Sequence, residues 1–260
     1  MICWEFFSPR RKQATPRLLR WPINIGLAAF NMLFMRLLVG GIAYQSAVNA
    51  ADQSWGLLHQ LSLSSVWSII FTLLILDLAI YLQHVISHKW KPLWNLHKVH
   101  HTDLEIDAST AVRFHPLEIL ISMVYKVACI YLIGADPWAV IVFEIILNAT
   151  ATFNHSNVNI PFMVDKYLRW ILITPDIHRI HHSTVQSETD SNYGFSISLW
   201  DRIFKTYVAE PEKTQLTLDI GLPTYRRASD VGIVQLLLMP FRPQLARHDE
   251  ETEKSNDRKP

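Results

Sequence analysis

Four apolar stretches constrain the fold of this 260-residue chain more than any other feature; they cover residues 23–47, 66–83, 117–134 and 138–153. A helix that spans a bilayer needs about 20 mostly apolar residues, with a range of roughly 17–25, and the first two stretches qualify. Because backbone groups find no water inside lipid, a spanning chain must form helices or a closed barrel. We therefore predict an all-α protein: an integral-membrane helical bundle of about four transmembrane segments.

The third and fourth stretches are short, and they meet at Gly134-Ala135-Asp136-Pro137. Glycine, aspartate and proline at such a junction indicate a turn. We expect these two stretches to form a hairpin that crosses the bilayer only in part, or with local thinning of the lipid.

Lysine and arginine alternate along the chain in a way that predicts its orientation. Five precede Trp21, none lies between Val48 and Ser65, and four lie between His84 and Pro116. None lies in the turn at residues 134–137, and they are frequent again after His155. Because cytoplasmic loops carry the excess of positive charge, we predict a multi-pass protein with both termini in the cytoplasm.

Arg36 does not fit this pattern, since it lies near the middle of the first stretch. An arginine at the centre of a spanning helix costs about 2.5–3.5 kcal/mol on insertion scales. The sequence leaves three explanations open: an ion pair with Asp77, an ion pair with Glu144, or a shifted or re-entrant segment.

The composition excludes several classes of partner and cofactor. The net charge is +1, which gives no reason to expect a nucleic-acid partner. Two cysteines, Cys3 and Cys129, are too few for a disulfide framework, an iron–sulfur cluster or a cysteine-rich zinc site. Any metal in this protein must therefore be held by nitrogen and oxygen ligands.

Histidines supply such ligands in three clusters, which contain eight of the twelve histidines of the chain. Each spacing places the imidazoles on one side of a helix. Eight nitrogens are too many for one ion, so two metal ions are the economical interpretation. Imidazole suits iron, zinc, copper and nickel, and the spacing does not choose among them. The clusters consist of His84 and His88, of His97, His100 and His101, and of His178, His181 and His182.

Further polar residues are candidates for the same site. His155 ends the fourth stretch on the side of the clusters, and we interpret it as a ninth ligand. His115 is equally suited to be a ligand, a residue that orients a ligand, or a helix-entry residue, and Asn159 is a candidate for a weak or water-mediated ligand. A histidine ligand needs its second nitrogen held by a carboxylate or carbonyl.

Four other residues could orient the histidines in this way. Asp77 and Tyr81 lie at helical spacing before His84 and could hold the histidines of the first cluster. Asp190 and Asn192 follow the third cluster closely, where they either orient its rings or belong to a polar loop. The sequence leaves this choice open. Asp201 also follows the third cluster, and the same two roles are open for it.

Other uses of histidine fit less well. The chain lacks His-Glu-x-x-His, so a zinc protease is unsupported. A metal transporter or sensor for zinc or iron remains the alternative function. Transport sites usually lie near the bilayer midplane, whereas these histidines lie at the ends of the apolar stretches. Their position favours an enzyme.

Together the clusters resemble the fatty acid hydroxylase/sterol desaturase superfamily, whose three boxes His-x3/4-His, His-x2-His-His and His-x2-His-His occur here in order. The likeness extends over roughly residues 70–207. It includes the sequence that leads into His97, beginning at Leu93, and the motifs Asp190-Ser191-Asn192-Tyr193-Gly194 and Trp200-Asp201-Arg202-Ile203-Phe204. Some members have a further His-x3-His before the third box, where this chain has His155-x3-Asn159.

The resemblance implies a non-haem di-iron centre at the cytoplasmic face. Such a centre uses O2 to hydroxylate or desaturate a C–H bond of a membrane lipid, for example a fatty acyl chain or a sterol. Electrons would come from a cytochrome b5, a ferredoxin or a reductase. We accordingly divide the chain into a basic cytoplasmic N-terminus (1–22), a membrane-embedded hydroxylase-like domain (23–241) and a charged tail (242–260) that we predict to be disordered.

Overall fold

The computed structural model describes residues 1–39, 41–61 and 63–242, and these form helices, turns and three isolated β-bridges. The protein is all-α, as predicted. The helices are α1 (Ile2–Phe7), α2 (Arg17–Val39), α3 (Ile42–Asp52), α4 (Leu57–Gln60), α5 (Ser65–Lys89), α6 (Lys91–His101), α7 (Pro116–Ile133), α8 (Pro137–Asn154), α9 (Phe162–Leu168), α10 (Pro175–His181), α11 (Gln186–Thr189), α12 (Leu199–Ile203) and α13 (Ile233–Leu238). Short 3₁₀ turns occupy Thr110–Val112, Ala228–Asp230 and Met239–Phe241.

Four segments are long and apolar enough to cross a membrane: residues 17–60, α5, α7 and α8. Three match the predicted stretches closely. The first differs, because α2 ends at Val39 and α3 begins at Ile42, so the stretch predicted as one helix is divided. Gly41, which precedes α3, has a φ of +73°, a left-handed conformation that glycine adopts without steric cost.

Helices α7 and α8 form the predicted hairpin. Gly134 ends α7 with a φ of +67°, and the Asp136 side chain caps α8 by accepting from the backbone N–H of Ala139 at 2.9 Å. At the tip, the backbone N–H of Asp136 donates to the Thr72 hydroxyl at 3.1 Å. Because Thr72 lies seven residues after the start of α5, the tip lies roughly 10 Å along α5 from that start.

An apolar core holds the bundle together where α3, α5, α7 and α8 meet. Its buried members include Ala47, Leu76, Ile130 and Phe143. Small residues such as Ala47 let helix backbones approach closely, which favours packing between helices in lipid. Large apolar side chains on the outer faces, such as Leu132, remain exposed, as lipid-facing residues would be.

The ion pairs within the spans differ from those that the sequence suggested. Glu144 pairs with Lys126 of the neighbouring helix at 2.6 Å, and Asp77 accepts a hydrogen bond from the Trp200 indole at 2.8 Å. Arg36 is exposed, and no ion pair to it occurs in the described part of the chain. Both partners suggested for Arg36 were therefore wrong, because this side chain is exposed while Glu144 pairs with Lys126 and Asp77 accepts from Trp200.

The N-terminal and C-terminal segments pack against the end of the bundle that carries the histidines. Glu5 is buried and accepts from the backbone N–H groups of Ala108 and Asn157, both at 2.8 Å. Near the C-terminus, Leu236 and Met239 are buried in a cluster with Val99 of α6. The predicted disordered tail lies outside the described residues from position 243 onward.

Candidate metal centre

The structure brings nine histidines together at one end of the bundle. They form two adjacent groups, and within each group one ring nitrogen per residue lies within 4.8 Å of the others. The first group contains His84, His88, His97, His101 and His181; the second contains His100, His155, His178 and His182. They are the nine histidines that the sequence marked as metal ligands; the two further candidates, His115 and Asn159, are not among them.

Local structure explains why distant histidines meet. Helix α5 ends at Lys89 and α6 begins at Lys91, so a sharp corner at Trp90 brings His97 back toward His84. The His84 and His97 Nε2 atoms lie 3.1 Å apart. Pro175 starts α10, the short helix that carries the third cluster. The fixed φ of proline suits the first turn of a helix.

Each group draws on several elements, so neither is a purely local motif. In the second group, His155 caps the C-terminus of α8 and lies between histidines of α6 and α10. Its Nε2 atom lies 3.0 Å from that of His100 and 3.1 Å from that of His178. The last spanning helix thus joins the second and third histidine clusters.

Backbone carbonyls fix the tautomers of three of these rings. The Nδ1 atoms of His84, His155 and His181 each lie 2.7 Å from a carbonyl oxygen, belonging to Tyr193, Ala151 and Ser191 respectively. A carbonyl only accepts, so each Nδ1 carries the hydrogen. Each Nε2 therefore carries a lone pair, and this lone pair faces the other histidines.

A carboxylate holds a fourth ring in the same way. Nδ1 of His97 lies 2.6 Å from Oε1 of Glu118 at the start of α7. Oε2 of Glu118 is buried and has no hydrogen-bond partner in the described part of the chain. In the sequence, Glu118 is a single carboxylate at the start of the third apolar stretch. Its partner is 21 residues away across two loops, so the spacing offered no signal for this pair.

The arrangement of the ring nitrogens fits bound cations. Lone pairs of His84 and His97 that face each other at 3.1 Å repel unless a cation lies between them. Two ligands of one ion, each roughly 2.0–2.1 Å from it, are themselves about 3 Å apart. In addition, both ring nitrogens of His88 and of His182 are buried without a hydrogen-bond partner among the described residues. Buried polar atoms are rarely left so, and metal coordination would satisfy them.

Burial also keeps the rings uncharged, as metal ligation requires. It lowers the pKa of His155 to about 4 and that of His181 to about 3. Burial likewise holds the pKa values of His100, His101 and His182 well below the ordinary value. These rings are therefore neutral lone-pair donors at physiological pH.

The loop after the third cluster supplies two of the orienting carbonyls, and Asp201 holds this loop in shape. The Asp201 carboxylate accepts from the backbone N–H groups of Tyr193 and Gly194, both at 2.8 Å, and from the Thr206 hydroxyl at 2.6 Å. A Cβ at Gly194 would lie 2.8 Å from the same carboxylate, so a side chain there would displace the contact. Asp201 thus acts on His84 through the backbone at Tyr193.

Asn192 and Asp190 lie in the same loop. Asn192 adopts a left-handed φ of +49°, and its side chain bonds to the backbone of Ile177 and Val208. It therefore ties the loop to α10 and does not contact a ring nitrogen. Asp190 lies 3.7 Å from Nδ1 of His88, a residue of the first cluster and not of the third.

Asp77 and Tyr81 were expected to hold the first cluster, and their contacts differ from that expectation. Asp77 accepts from the Trp200 indole, and the Tyr81 hydroxyl lies 2.8 Å from that of Thr206. Both attach α5 to α12 and the residues just after it. The helical spacing was predicted correctly. However, the carbonyl of Tyr193, and neither Asp77 nor Tyr81, bonds to Nδ1 of His84.

His115 and Asn159 lie outside both histidine groups. His115 caps α7: its Nδ1 accepts from the backbone N–H of Leu117 at 3.1 Å, and its Nε2 lies 3.2 Å from the carbonyl of Leu237. The helix-entry interpretation matches these contacts. Asn159 is exposed, and its backbone N–H bonds to Ser8.

A buried ionic network supports the loop between α6 and α7. Asp103 accepts from the Arg20 guanidinium at 2.6 and 2.9 Å and from the Asn24 amide at 2.9 Å. Burial raises the pKa of Asp103, but the guanidiniums of Arg20 and Arg113 outweigh burial and hold this pKa below its usual range. This network fixes the start of α2 to the loop that follows His101.

A cavity of about 360 Å³ lies beside the first histidine group and is lined by residues of the membrane-spanning bundle. It lies between α2, α5, α7 and α8, and His84 and His97 belong to its lining. Much of its wall is apolar, with side chains such as Ile80, Ile119 and Leu147.

Comparisons with known proteins agree with these features. Residues 69–206 match the family model described as fatty acid hydroxylase. The chain is 28% identical over 175 residues to ornithine lipid hydroxylase OlsE of Rhizobium tropici, which covers 67% of this chain and 50% of that protein. It is 30% and 29% identical to the alkylglycerol monooxygenases of Xenopus tropicalis and Homo sapiens, over 65% of this chain and 36% and 37% of theirs. The chain thus spans half or less of the length of these relatives. No solved structure matches.

Proposed function

This chain belongs to the fatty acid hydroxylase family, and from that premise we propose that it is a membrane-bound, O2-dependent oxidoreductase that oxidises a C–H bond of a lipid. The reaction class is hydroxylation or desaturation. Three relatives whose names describe lipid hydroxylation or monooxygenation favour hydroxylation.

The observation that carries this proposal is the pair of adjacent groups of five and four histidines. Nitrogen ligands in two groups suit two non-haem iron ions, and iron held by such ligands can activate O2. When bound, two irons and O2 supply an oxidant strong enough for an alkyl C–H bond, which no amino-acid side chain provides.

The protein's own residues position the ligands. Glu118 and the carbonyls of Ala151, Ser191 and Tyr193 hold Nδ1–H groups, so that each Nε2 points into the centre. Partners of this kind fix the orientation of metal-bound histidines and raise their basicity. We propose that all nine histidines are ligands, and that Asp190 orients His88.

The cavity supports a lipid substrate. Residues of helices that are apolar enough to span a bilayer line it, together with His84 and His97. A lipid that enters between the helices can therefore place a carbon beside the first histidine group without leaving the membrane. The apolar walls exclude bulk water from the reacting carbon.

The orientation is also a proposal. The alternation of lysine and arginine supports cytoplasmic termini and a cytoplasmic metal centre. A soluble or membrane-anchored electron donor, such as a cytochrome b5, a ferredoxin or a reductase, would then reach the histidines from that side. We propose residues 23–241 as the catalytic domain, to which the packed N-terminal residues contribute.

Two measurements test the function. Protein purified after expression with ample iron should contain about two irons per chain, and His100→Ala or His181→Ala should lower this content while the protein still inserts into the membrane. Lipid mass spectrometry of cells with and without the gene should then show a product with one added oxygen or two fewer hydrogens. An iron content near zero would contradict the di-iron centre. An unchanged lipid profile would contradict the enzyme.

A further inference from the structure

The cavity has a polar wall, which a site for a plain hydrocarbon chain would not need. On α7, residues Glu118, Ser122 and Lys126 follow one another at intervals of four and all line the cavity. This interval places them on one helix face. Gln83 of α5 and Glu144 of α8 also line it.

Lys126 and Glu144 form the inner end of this polar wall. Lys126 Nζ donates to Glu144 Oε1 at 2.6 Å, and the lysine side chain is 8% exposed while that of Glu144 is 33% exposed. An ammonium carries three N–H donors, and this is the single hydrogen bond to Lys126 Nζ within the described residues. Ionisable residues inside a membrane segment are costly and usually mark a substrate or ion site.

The depth of this pair relative to the histidines follows from helix geometry. Glu118 contacts His97 and lies eight residues before Lys126 on α7, so the two differ by about 12 Å along the helix. Tyr125, next to Lys126, donates to the carbonyl of Ala79 at 3.1 Å. Ala79 is five residues before His84, which gives about 7–8 Å along α5. The pair thus lies roughly 7–12 Å deeper in the bundle than the first histidine group.

We propose that Lys126 and Glu144 bind a neutral hydrogen-bonding group of the substrate, a hydroxyl or an amide, roughly 7–12 Å from the carbon that is oxidised. The inference rests on the proposed function, which it deepens by naming the substrate class. The substrate is then a lipid whose polar part enters the cavity, and the oxidised carbon lies several bonds away from the bound hydroxyl or amide.

Charge balance favours a neutral group. The ammonium and the carboxylate compensate each other, so a charged ligand would leave a net charge in a low-dielectric cavity, where it is costly. The pair offers spare N–H donors and a carboxylate oxygen as acceptor. A hydroxyl or an amide both donates and accepts, so it completes both sides of the pair.

Two probes that share one acyl chain and one ester test this proposal: monooleoylglycerol, which has two free hydroxyls, and methyl oleate, which has none. Binding of each to the full chain in phosphatidylcholine nanodiscs is measured by native mass spectrometry. Two hydrogen bonds to a buried ion pair correspond to a preference of about tenfold or more for monooleoylglycerol. Equal binding of the two probes to the wild-type protein would overturn the proposal, whatever the variants do.

The variant Lys126→Met with Glu144→Leu replaces the pair by apolar side chains of similar length. It should bind methyl oleate as the wild type does and lose the preference for monooleoylglycerol. Thr152→Val, a change on α8 outside the cavity, is the control and should keep the preference. If the double variant does not fold, Glu144→Gln keeps the side-chain shape and an acceptor but removes the charge of the pair, and it should reduce the preference. A preference retained by a folded double variant would show that the pair only joins α7 to α8.

Metal content and oxidation of lipids are measured separately from binding. A protein that binds iron and oxidises a lipid but shows no preference between the probes would refute this inference and leave the proposed function intact. A protein that prefers monooleoylglycerol but binds no iron would support this inference and contradict the proposed function.

Discussion

The contact between Glu118 and His97 gives the sharpest test of how the histidines are held. Oε1 of Glu118 and Nδ1 of His97 are 2.6 Å apart, and both side chains are largely buried. A hydrogen bond to a charged group contributes about 1.5–3 kcal/mol, which corresponds to roughly 10–150-fold in an equilibrium constant. Partners that hold a metal-binding histidine typically contribute about 10–100-fold to metal affinity. Glu118→Ala should therefore weaken metal binding by one to two orders of magnitude.

The loss should be confined to one metal. His97 belongs to the group of five histidines, and the other four histidines, centred on His155, have no contact with Glu118. Titration of the purified variant with a chelator, followed by mass spectrometry of the retained metal, should show one metal released early and the second released as in the wild type. Glu118→Gln keeps an acceptor but removes the charge, so it should lie between the wild type and Glu118→Ala.

Glu212→Gln provides a matched control, because this carboxylate is exposed and belongs to neither histidine group. It should release both metals as the wild type does. The reasoning would be refuted if Glu118→Ala retained both metals normally. It would also be refuted if both metals were lost together, since that would mean that the two groups do not bind independently.

Three further predictions test the loop, the pH response and the topology. Asp201→Ala should lower the melting temperature and metal content, because it removes the acceptor for two backbone N–H groups and so releases the carbonyl that holds His84; unchanged metal content would contradict this role. Metal-free protein should lose stability as the pH falls from 6.5 toward about 4, because buried His155 takes up a proton at lower pH than the unfolded chain does; a melting temperature independent of pH over that interval would refute the assignment. With the exposed native cysteine removed, Gln53→Cys should react with an impermeant thiol reagent in intact cells and Lys213→Cys only after permeabilisation, and the reverse result would invert the proposed orientation.

Local physical chemistry explains why much of this protein could be predicted from its sequence. Spanning helices need long apolar runs because lipid offers no hydrogen bonds to the backbone, so α5, α7 and α8 are visible in the sequence. The turn at Gly134 is predictable for the same local reason, since the chain there needs a left-handed residue followed by a cap. The histidine clusters are equally local, because intervals of three and four place side chains on one helix face.

Contacts between distant segments were predicted poorly. Asp77 and Tyr81 have the right spacing to support His84, yet a carbonyl from a loop more than a hundred residues later takes that place. A backbone carbonyl is present at every residue, so no residue type signals it. The break at Gly41 differs, because it has a local signal in the pair Gly40-Gly41, which the apolar residues on both sides outweighed in the prediction of one helix.

The sequence by itself determined the membrane helices, the three histidine clusters and the nitrogen character of the site, because each depends on residues close together in the chain. Tertiary structure decided which histidines share a group, since α6, α8 and α10 reach one point only after the bundle has formed. It also decided that Glu118 supports His97 and that Lys126 meets Glu144 within one cavity. Those pairs depend on how helices pack against one another, and helix packing depends on the shapes of all the contacting side chains together.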